Sequence, residues 1–327
     1  MLTDVICYIC IAYKLIKWLA YRFLTNGDSD SMSCLMGKTA IVTGGNSGVG
    51  CATATLLASR GCRVIIADVV DAEESKIAII EQTNNNQVTS KILDLSSLKS
   101  VRKFARNIIE NEEKIDILVN NAGIGTTSKT ITEDGLNTMM QVNFFGAFLL
   151  THLLIEPLKT SKDARVIFTG SCMVYLSRLR LDNIKDIFNI TEYELNIYNS
   201  YMIYQNAKLC NVLAAQEFAE RLQKYNIRVY SADPGMVRSK LYNCFIGESI
   251  RNVSFLFLIS QLIAGSSLNG AQTNFHLASS RSPRESGQHF YRCRRFCKPK
   301  ILEDKQFCKE IWKATEVLVK LKPEEKL

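Results

Sequence analysis

Thr43-Gly44-Gly45-Asn46-Ser47-Gly48-Val49-Gly50 is a glycine-rich turn between a β-branched run, Thr39 to Val42, and a helical pattern that continues to Arg60. Glycines there permit a tight bend and let a pyrophosphate approach the backbone N–H groups at the helix N-terminus. Such a turn alone is a weak signal. It gains weight from Asp68, which ends the next β-branched run, Val64 to Ala67, 18 residues past Gly50. A carboxylate there can accept hydrogen bonds from the hydroxyls of an adenosine ribose. It also repels a 2′-phosphate, which favours NAD over NADP. The competing reading of Asp68 is an ordinary strand-end acid.

The alternation continues along the chain. A helix is predicted near 72–82. Lys91 to Leu93 precedes a helix over 97–111, Ile115 to Val119 one over 134–158, and Arg165 to Thr169 one over 200–224; Arg228 to Ala232 closes the series. This pattern predicts a single α/β domain, a doubly wound, Rossmann-like parallel sheet with helices on both faces. No internal repeat or low-complexity segment interrupts it.

The chain has 327 residues, 47% hydrophobic and 22% charged, which excludes disorder, collagen and a polytopic membrane protein. Its net charge of +8 is mild and not gathered in one stripe, so it suits an anionic cofactor or membrane headgroups better than nucleic acid. The eleven cysteines form no disulfide framework. Cys51, Cys62, Cys172 and Cys210 read as small core residues in a reducing compartment. Cys7 and Cys10 lack a second ligand pair, and Cys293, Cys297 and Cys308 have only His289 nearby, so no metal site is expected.

Residues 1–24 carry the apolar run Val5 to Tyr13 and an aromatic extension around Lys14, Lys17 and Arg22. A bilayer span takes about 20 apolar residues, so this segment either spans with its lysines snorkelling or lies in the membrane plane. The remaining alternative is a terminal helix packed on its own domain. The basic C-terminal flank keeps the following domain in the cytosol. Residues 25–36 are polar and turn-rich and read as a linker, with the domain occupying 37–327 and ending in a helical extension.

The spacing Thr-Gly-x-x-x-Gly-x-Gly resembles the short-chain dehydrogenase/reductase family. Further stretches fit it: Asp94-Leu95, Asn120-Asn121-Ala122-Gly123, Asn143, Ser171, the pair Tyr204-x-x-x-Lys208, and Asp233-Pro234-Gly235-Met236-Val237-Arg238-Ser239. The resemblance covers about Gly37 to Ser280. It implies cofactor contacts from Gly44, Asn46, Ser47, Gly48, Val49, Gly50, Asp68, Asp94, Leu95, Asn121, Ala122 and Gly123. It adds Tyr204, Lys208, Pro234, Gly235, Val237 and Ser239 to that set. Asn143, Ser171, Tyr204 and Lys208 are the implied catalytic set, with Asn143 holding water in a proton relay to Lys208.

The chemistry also follows from the residues themselves. Tyr204 and Lys208 lie four apart, on one face of a helix. An ammonium beside a phenol favours phenolate, so Tyr204 can exchange a proton with an alcohol, and Ser171 can hold the substrate oxygen. Neither Tyr198 nor Tyr201 has a lysine four residues on, and Tyr175 precedes the expected helix.

Leu149 to Leu154, Lys208 to Leu213 and Pro234 to Ser239 look like the retinol dehydrogenase branch. That resemblance implies an oxidoreductase acting on a lipophilic alcohol, aldehyde or ketone, associated with the endoplasmic reticulum membrane and facing the cytosol. Prenol (farnesol) or steroid dehydrogenases are alternatives, as is a non-catalytic cofactor-binding protein on a lipid surface. Expected partners are the small-molecule substrate, the membrane and, in a homodimer, a second copy. Two departures stand out. The branch carries Cys-Arg where this chain has Asp68-Val69, and the 33 positions from Ser171 to Tyr204 are long for the family. Asn189-Ile-Thr191 and Asn252-Val-Ser254 match the glycosylation triplet but should stay unmodified in the cytosol.

Overall fold

A computed structural model describes residues 27–125, 127, 129–183, 197–238, 264–281 and 285–327. The expected membrane segment 1–24, Ser239, both glycosylation triplets and residues 184–196 of the long stretch lie outside the described residues.

The first strand, β1 (Thr39–Thr43), is buried at every position because helices cover both faces of the sheet. β4 (Ile117–Asn120) and β5 (Ala164–Thr169) are equally buried, and β2 (Arg63–Asp68), β3 (Val88–Ile92) and β6 (Ile227–Asp233) complete the predicted set. Two short strands follow, β7 (His289–Tyr291) and β8 (Arg294–Phe296). The order is β3-β2-β1-β4-β5-β6-β7-β8, parallel through β7, with β8 antiparallel at the edge. β1 pairs with β2 on one side and β4 on the other, so the winding reverses there and leaves a crevice at the carboxyl ends of both strands.

The helices are α1 (Gly48–Ala58), α2 (Glu73–Thr83), α3 (Leu98–Asn111), a continuous α4 made of Thr138–Met140, a π turn Gln141–Phe145 and Gly146–Leu153, then α5 (Ile155–Lys159), α6 (Ile197–Leu222), α7 (Ser267–Ser279) and α8 (Lys305–Leu318). Leu57 of α1, Ile79 of α2 and Phe275 of α7 pack on one face of the sheet. On the other, Phe104 of α3, Phe148 of α4, Phe218 of α6 and Trp312 of α8 form a second core. The Trp312 ring meets Phe148 and Phe218 edge-on, each with centroids 4.8 Å apart, which fixes α8 across α4 and α6.

Three sequence expectations change. β3 starts at Val88 rather than Lys91, because buried Val88 pairs with Val64 while polar Thr89-Ser90-Lys91 disguise the strand. The helix expected from 134 starts at Thr138, where the Asn137 side chain accepts from Met140 N–H at 3.1 Å, and it breaks at Leu154 before α5. The series does not close at Ala232: α7, β7 and β8 follow before α8, the expected C-terminal helical extension. The β7–β8 turn puts Arg292 and Cys293 at φ +52° and +60°, a geometry usually announced by Asn-Gly, so no turn signal marked it.

Candidate active site

A cavity of about 810 Å³ opens at the crevice between β1 and β4. Thr43 builds its floor. Its Oγ1 accepts from the N–H groups of Asn121 and Ala122 at 2.9 and 3.0 Å, and Asn121 Nδ2 donates to Thr43 O at 3.0 Å. The turn after β4 is therefore clamped to the end of β1. Gly44, at φ +66°, passes so close to this turn that a Cβ would stand 2.8 Å from Ala122 Cα. A Cβ on Gly50 would lie 2.1 Å from Gly44 O, so Gly50 packs the turn onto α1 behind the cavity rather than lining it.

The α1 N-terminus suits an anion. Its N-cap residue Ser47 makes no side-chain capping bond, its first turn holds no acid, and Ser47, Gly48 and Val49 line the cavity. Asp68 lines the same end; its carboxylate accepts from Asn46 N–H at 3.2 Å. Asn46 itself does not line the cavity: its Oδ1 accepts from Ser75 Oγ at 2.6 Å. Asp94 and Leu95 form an adjacent wall, with the Asp94 carboxylate held by Ser96 N–H and Oγ at 2.8 and 2.6 Å. Ala122 and Gly123 continue this wall, and Pro234, Gly235 and Val237 also line the cavity, with Pro234 and Val237 meeting Val49 of α1 around Gly270. An open helix N-terminus, close backbone approach and a strand-end carboxylate in one elongated groove match the parts of a nicotinamide dinucleotide.

The proton-handling side chains meet at the deep end. Ser171 follows β5, and its Oγ accepts from Met173 N–H at 3.2 Å, capping the turn Cys172–Leu176. Ser171 and Tyr204 both line the cavity, close enough for the Ser171 hydroxyl to act on the phenol. Tyr204 and Lys208 both descend from α6 into the cavity wall, the ammonium 5.6 Å from the ring centroid. Burial holds the Tyr204 pKa above its ordinary value; the Ser171 hydroxyl pulls it down and Asp233 pushes it up. The lowering expected from Lys208 is not among these influences, and with burial dominant the resting phenol keeps its proton. Burial pushes Lys208 down to about 8, against the charge of Asp233, and pushes the Asp233 carboxyl up to about 6, against the Gly235 N–H and Lys208.

Asn143 lies in the π turn of α4, a helix irregularity often found at functional sites. It does not line the cavity; its amide accepts from Ile124 N–H at 2.7 Å and donates to Ile124 O at 2.9 Å, immediately behind the wall. Its backbone oxygen accepts from Asn211 Nδ2 at 2.9 Å, and Lys208 Nζ donates to Thr169 O at 3.0 Å. Asn211 and Asp233 join the site without a role predicted from the sequence. Asn211 follows Tyr204 by seven and Lys208 by three, a helical spacing that places all three on one face. Asp233 gave only the signal of a charge ending an apolar strand. Cys172, expected in the core, is exposed at the cavity instead, because it begins the turn after β5. Tyr201 lines the cavity, while Tyr175 turns away to donate to Cys297 O.

This fold and cleft define a nicotinamide-dependent oxidoreductase. Residues 38–177 match the short chain dehydrogenase family model. The chain is 37% identical over 281 residues to retinol dehydrogenase 12 of Homo sapiens, with 84% of each chain covered. It is 34% identical to dehydrogenase/reductase SDR family member 13 of Bos taurus, over 97% of this chain and 80% of that one. The crystal structure of an uncharacterized protein from Mycobacterium paratuberculosis aligns with a TM-score of 0.68 at 26% identity, covering 89% of this chain and 96% of its own. The chain belongs to the short-chain dehydrogenase/reductase family, within the retinol dehydrogenase branch.

Proposed function

We propose that this protein oxidises a lipophilic, retinoid-like alcohol, or reduces the corresponding aldehyde, with Tyr204 as the acid–base group. The observation that carries this reading is the meeting of Ser171, Tyr204 and Lys208 at the deep end of a groove with an open helix N-terminus. When bound, a nicotinamide ring accepts or supplies the hydride. In reduction the Tyr204 hydroxyl gives its proton to the carbonyl oxygen; in oxidation the phenolate takes the alcohol proton. Ser171 holds that oxygen. Lys208 holds the ribose and, as an ammonium, favours the phenolate. Asn143 keeps the Ile124 turn in place and belongs to the proton relay through its π turn.

The substrate reading is supported by the names of the relatives and by the apolar wall of Ile124, Val142, Met173, Tyr201 and Met236. NAD is the favoured cofactor, since Asp68 faces the groove with the apolar Val69 beside it, and neither offers a cation to a 2′-phosphate. Residues 1–24 attach the enzyme to the endoplasmic reticulum membrane, with the catalytic domain, residues 37–327, in the cytosol. Among the described residues no helix is long and apolar enough to cross a membrane. The test is turnover by the purified full chain with NAD and NADP across retinol, farnesol and hydroxysteroids. Retinol with NAD is expected to give the highest kcat/KM. Preferred turnover of farnesol or a steroid would replace the substrate, and cofactor binding without turnover of any alcohol would leave a binding protein.

A further inference from the structure

The edge of the sheet beside the cavity carries an unusual surface. From Tyr291 to Lys300 the sequence is Tyr-Arg-Cys-Arg-Arg-Phe-Cys-Lys-Pro-Lys, five cations without an acid. β8 is exposed at all three positions and forms the free edge of the sheet. Because β7 runs parallel to β6, with Tyr291 opposite Asp233, the turn at Arg292 and Cys293 stands at the carboxyl end, beside the crevice. The Tyr291 ring comes within 3.2 Å of where a Gly235 Cβ would be, and Gly235 lines the cavity.

A second segment joins this edge. Tyr175 donates to Cys297 O, and its ring meets Phe296 edge-on at 6.0 Å; Tyr291 meets the same Phe296 at 5.6 Å. Phe296 and Tyr175, in mutual contact, are 41% and 40% exposed, and Leu176, next in the chain to Tyr175, is 59% exposed. Met236, which lines the cavity, is 36% exposed. Single exposed apolar residues need no explanation, whereas Tyr175, Phe296 and Tyr291 touch one another and sit beside the exposed Arg294 and Arg295, the latter paired with Glu285 at 3.0 Å. Apolar side chains among cations suit the headgroup–acyl boundary of an anionic membrane: the arginines meet lipid phosphates and carboxylates while the rings enter the acyl region. Nucleic acid or an acidic protein would use the charges and leave Leu176 and Phe296 unexplained.

We infer that the β8 edge and the turn after Ser171 together form a docking surface for an anionic lipid bilayer, which seats the cavity entrance on the membrane independently of residues 1–24. The inference rests on the lipophilic-substrate reading for its purpose, though its physical test does not. Full-length Phe296→Trp protein is mixed with phosphatidylcholine/phosphatidylserine vesicles whose acyl chains are brominated, with the wild-type chain measured alongside to subtract Trp18 and Trp312. Extra quenching is expected from the new indole. Arg294→Glu with Arg295→Glu in the Phe296→Trp background should reduce that increment at least fivefold, as should vesicles of phosphatidylcholine alone. In the wild-type background the same charge reversal should lower kcat/KM at least fivefold for alcohol delivered in anionic vesicles and spare a short water-soluble alcohol. No increment over wild type, or one insensitive to lipid charge, overturns the inference. Charge-dependent quenching without turnover of any lipophilic alcohol overturns the substrate reading alone.

Discussion

The side-chain amide of Asn143 makes both of its hydrogen bonds to one residue, accepting from Ile124 N–H at 2.7 Å and donating to Ile124 O at 2.9 Å. Ile124 lines the cavity, so a buried amide in the π turn of α4 sets the position of this stretch of the cavity wall. Asn143→Ala leaves two main-chain groups without partners, at a cost of about 1–3 kcal/mol. Urea unfolding should register that loss, and kcat should fall at least tenfold as the wall relaxes. A variant of wild-type stability and wild-type kcat contradicts this role.

On the proposed reading cofactor choice turns on Asp68, whose carboxylate sits at the end of β2 holding Asn46 N–H at 3.2 Å. Asp68→Ala with Val69→Arg removes a repulsion and adds a guanidinium for a 2′-phosphate, so the ratio of kcat/KM values should swing toward NADP(H). Steady-state kinetics with both cofactors decide it. A wild-type enzyme already faster with NADPH than with NADH contradicts the assignment.

The carboxylate of Asp233 bears on the site through its field. Its carboxyl titrates at about 6, so above that pH it is charged and raises the pKa of both Lys208 and Tyr204. Asp233→Asn removes the charge, and Lys208 should then lose its proton below its present value of about 8. The limbs of the pH profile for alcohol oxidation should both move toward acid. A profile unmoved in either limb counts against any electrostatic role for Asp233.

Two buried histidines contribute to the pH dependence of stability. Burial pushes His152 and His289 down to about 4, so the fold favours their neutral forms. Folded values below the unfolded one near ~6.5 mean that this contribution is complete above that pH and is lost as the pH falls toward 4. Tm should therefore drop between pH 7 and 5. His289→Gln, which keeps a partner for Ser231 Oγ now 2.8 Å from Nδ1, should make the drop shallower. An unchanged slope would remove His289 from this role.

Much of the architecture was legible because local signals and burial agree in it. β1, β4 and β5 are β-branched runs buried along their whole length, and α3 opens at Ser97, whose side chain accepts from Ser100 N–H. What escaped was set by tertiary contact. β7 and β8 are three residues each, one of them two-thirds arginine, and they pair only because β6 offers an edge. The turn residues around the crevice were readable from their spacing, yet three functions within it were not. Asn46 and Gly50 shape the turn from behind, and Asn143 works from behind the wall, distinctions that depend on which way a side chain points. The Tyr204–Lys208 spacing predicts a phenol lowered by the lysine, whereas the packing around Tyr204 raises it, an effect of desolvation that spacing does not encode.

The most direct measurement is the rate of alcohol oxidation by Tyr204→Phe across pH, with cofactor affinity followed by fluorescence titration on the same protein. Acid–base catalysis of this kind contributes about 10²–10⁴-fold, so the variant should lose at least that much while binding NAD nearly as well as wild type. Wild-type oxidation should rise with pH as the phenol ionises, and the residual rate of the variant should not. A Tyr204→Phe protein that keeps more than about a tenth of the wild-type rate, far above the loss expected for such a group, would contradict the assignment of Tyr204 as the acid–base residue.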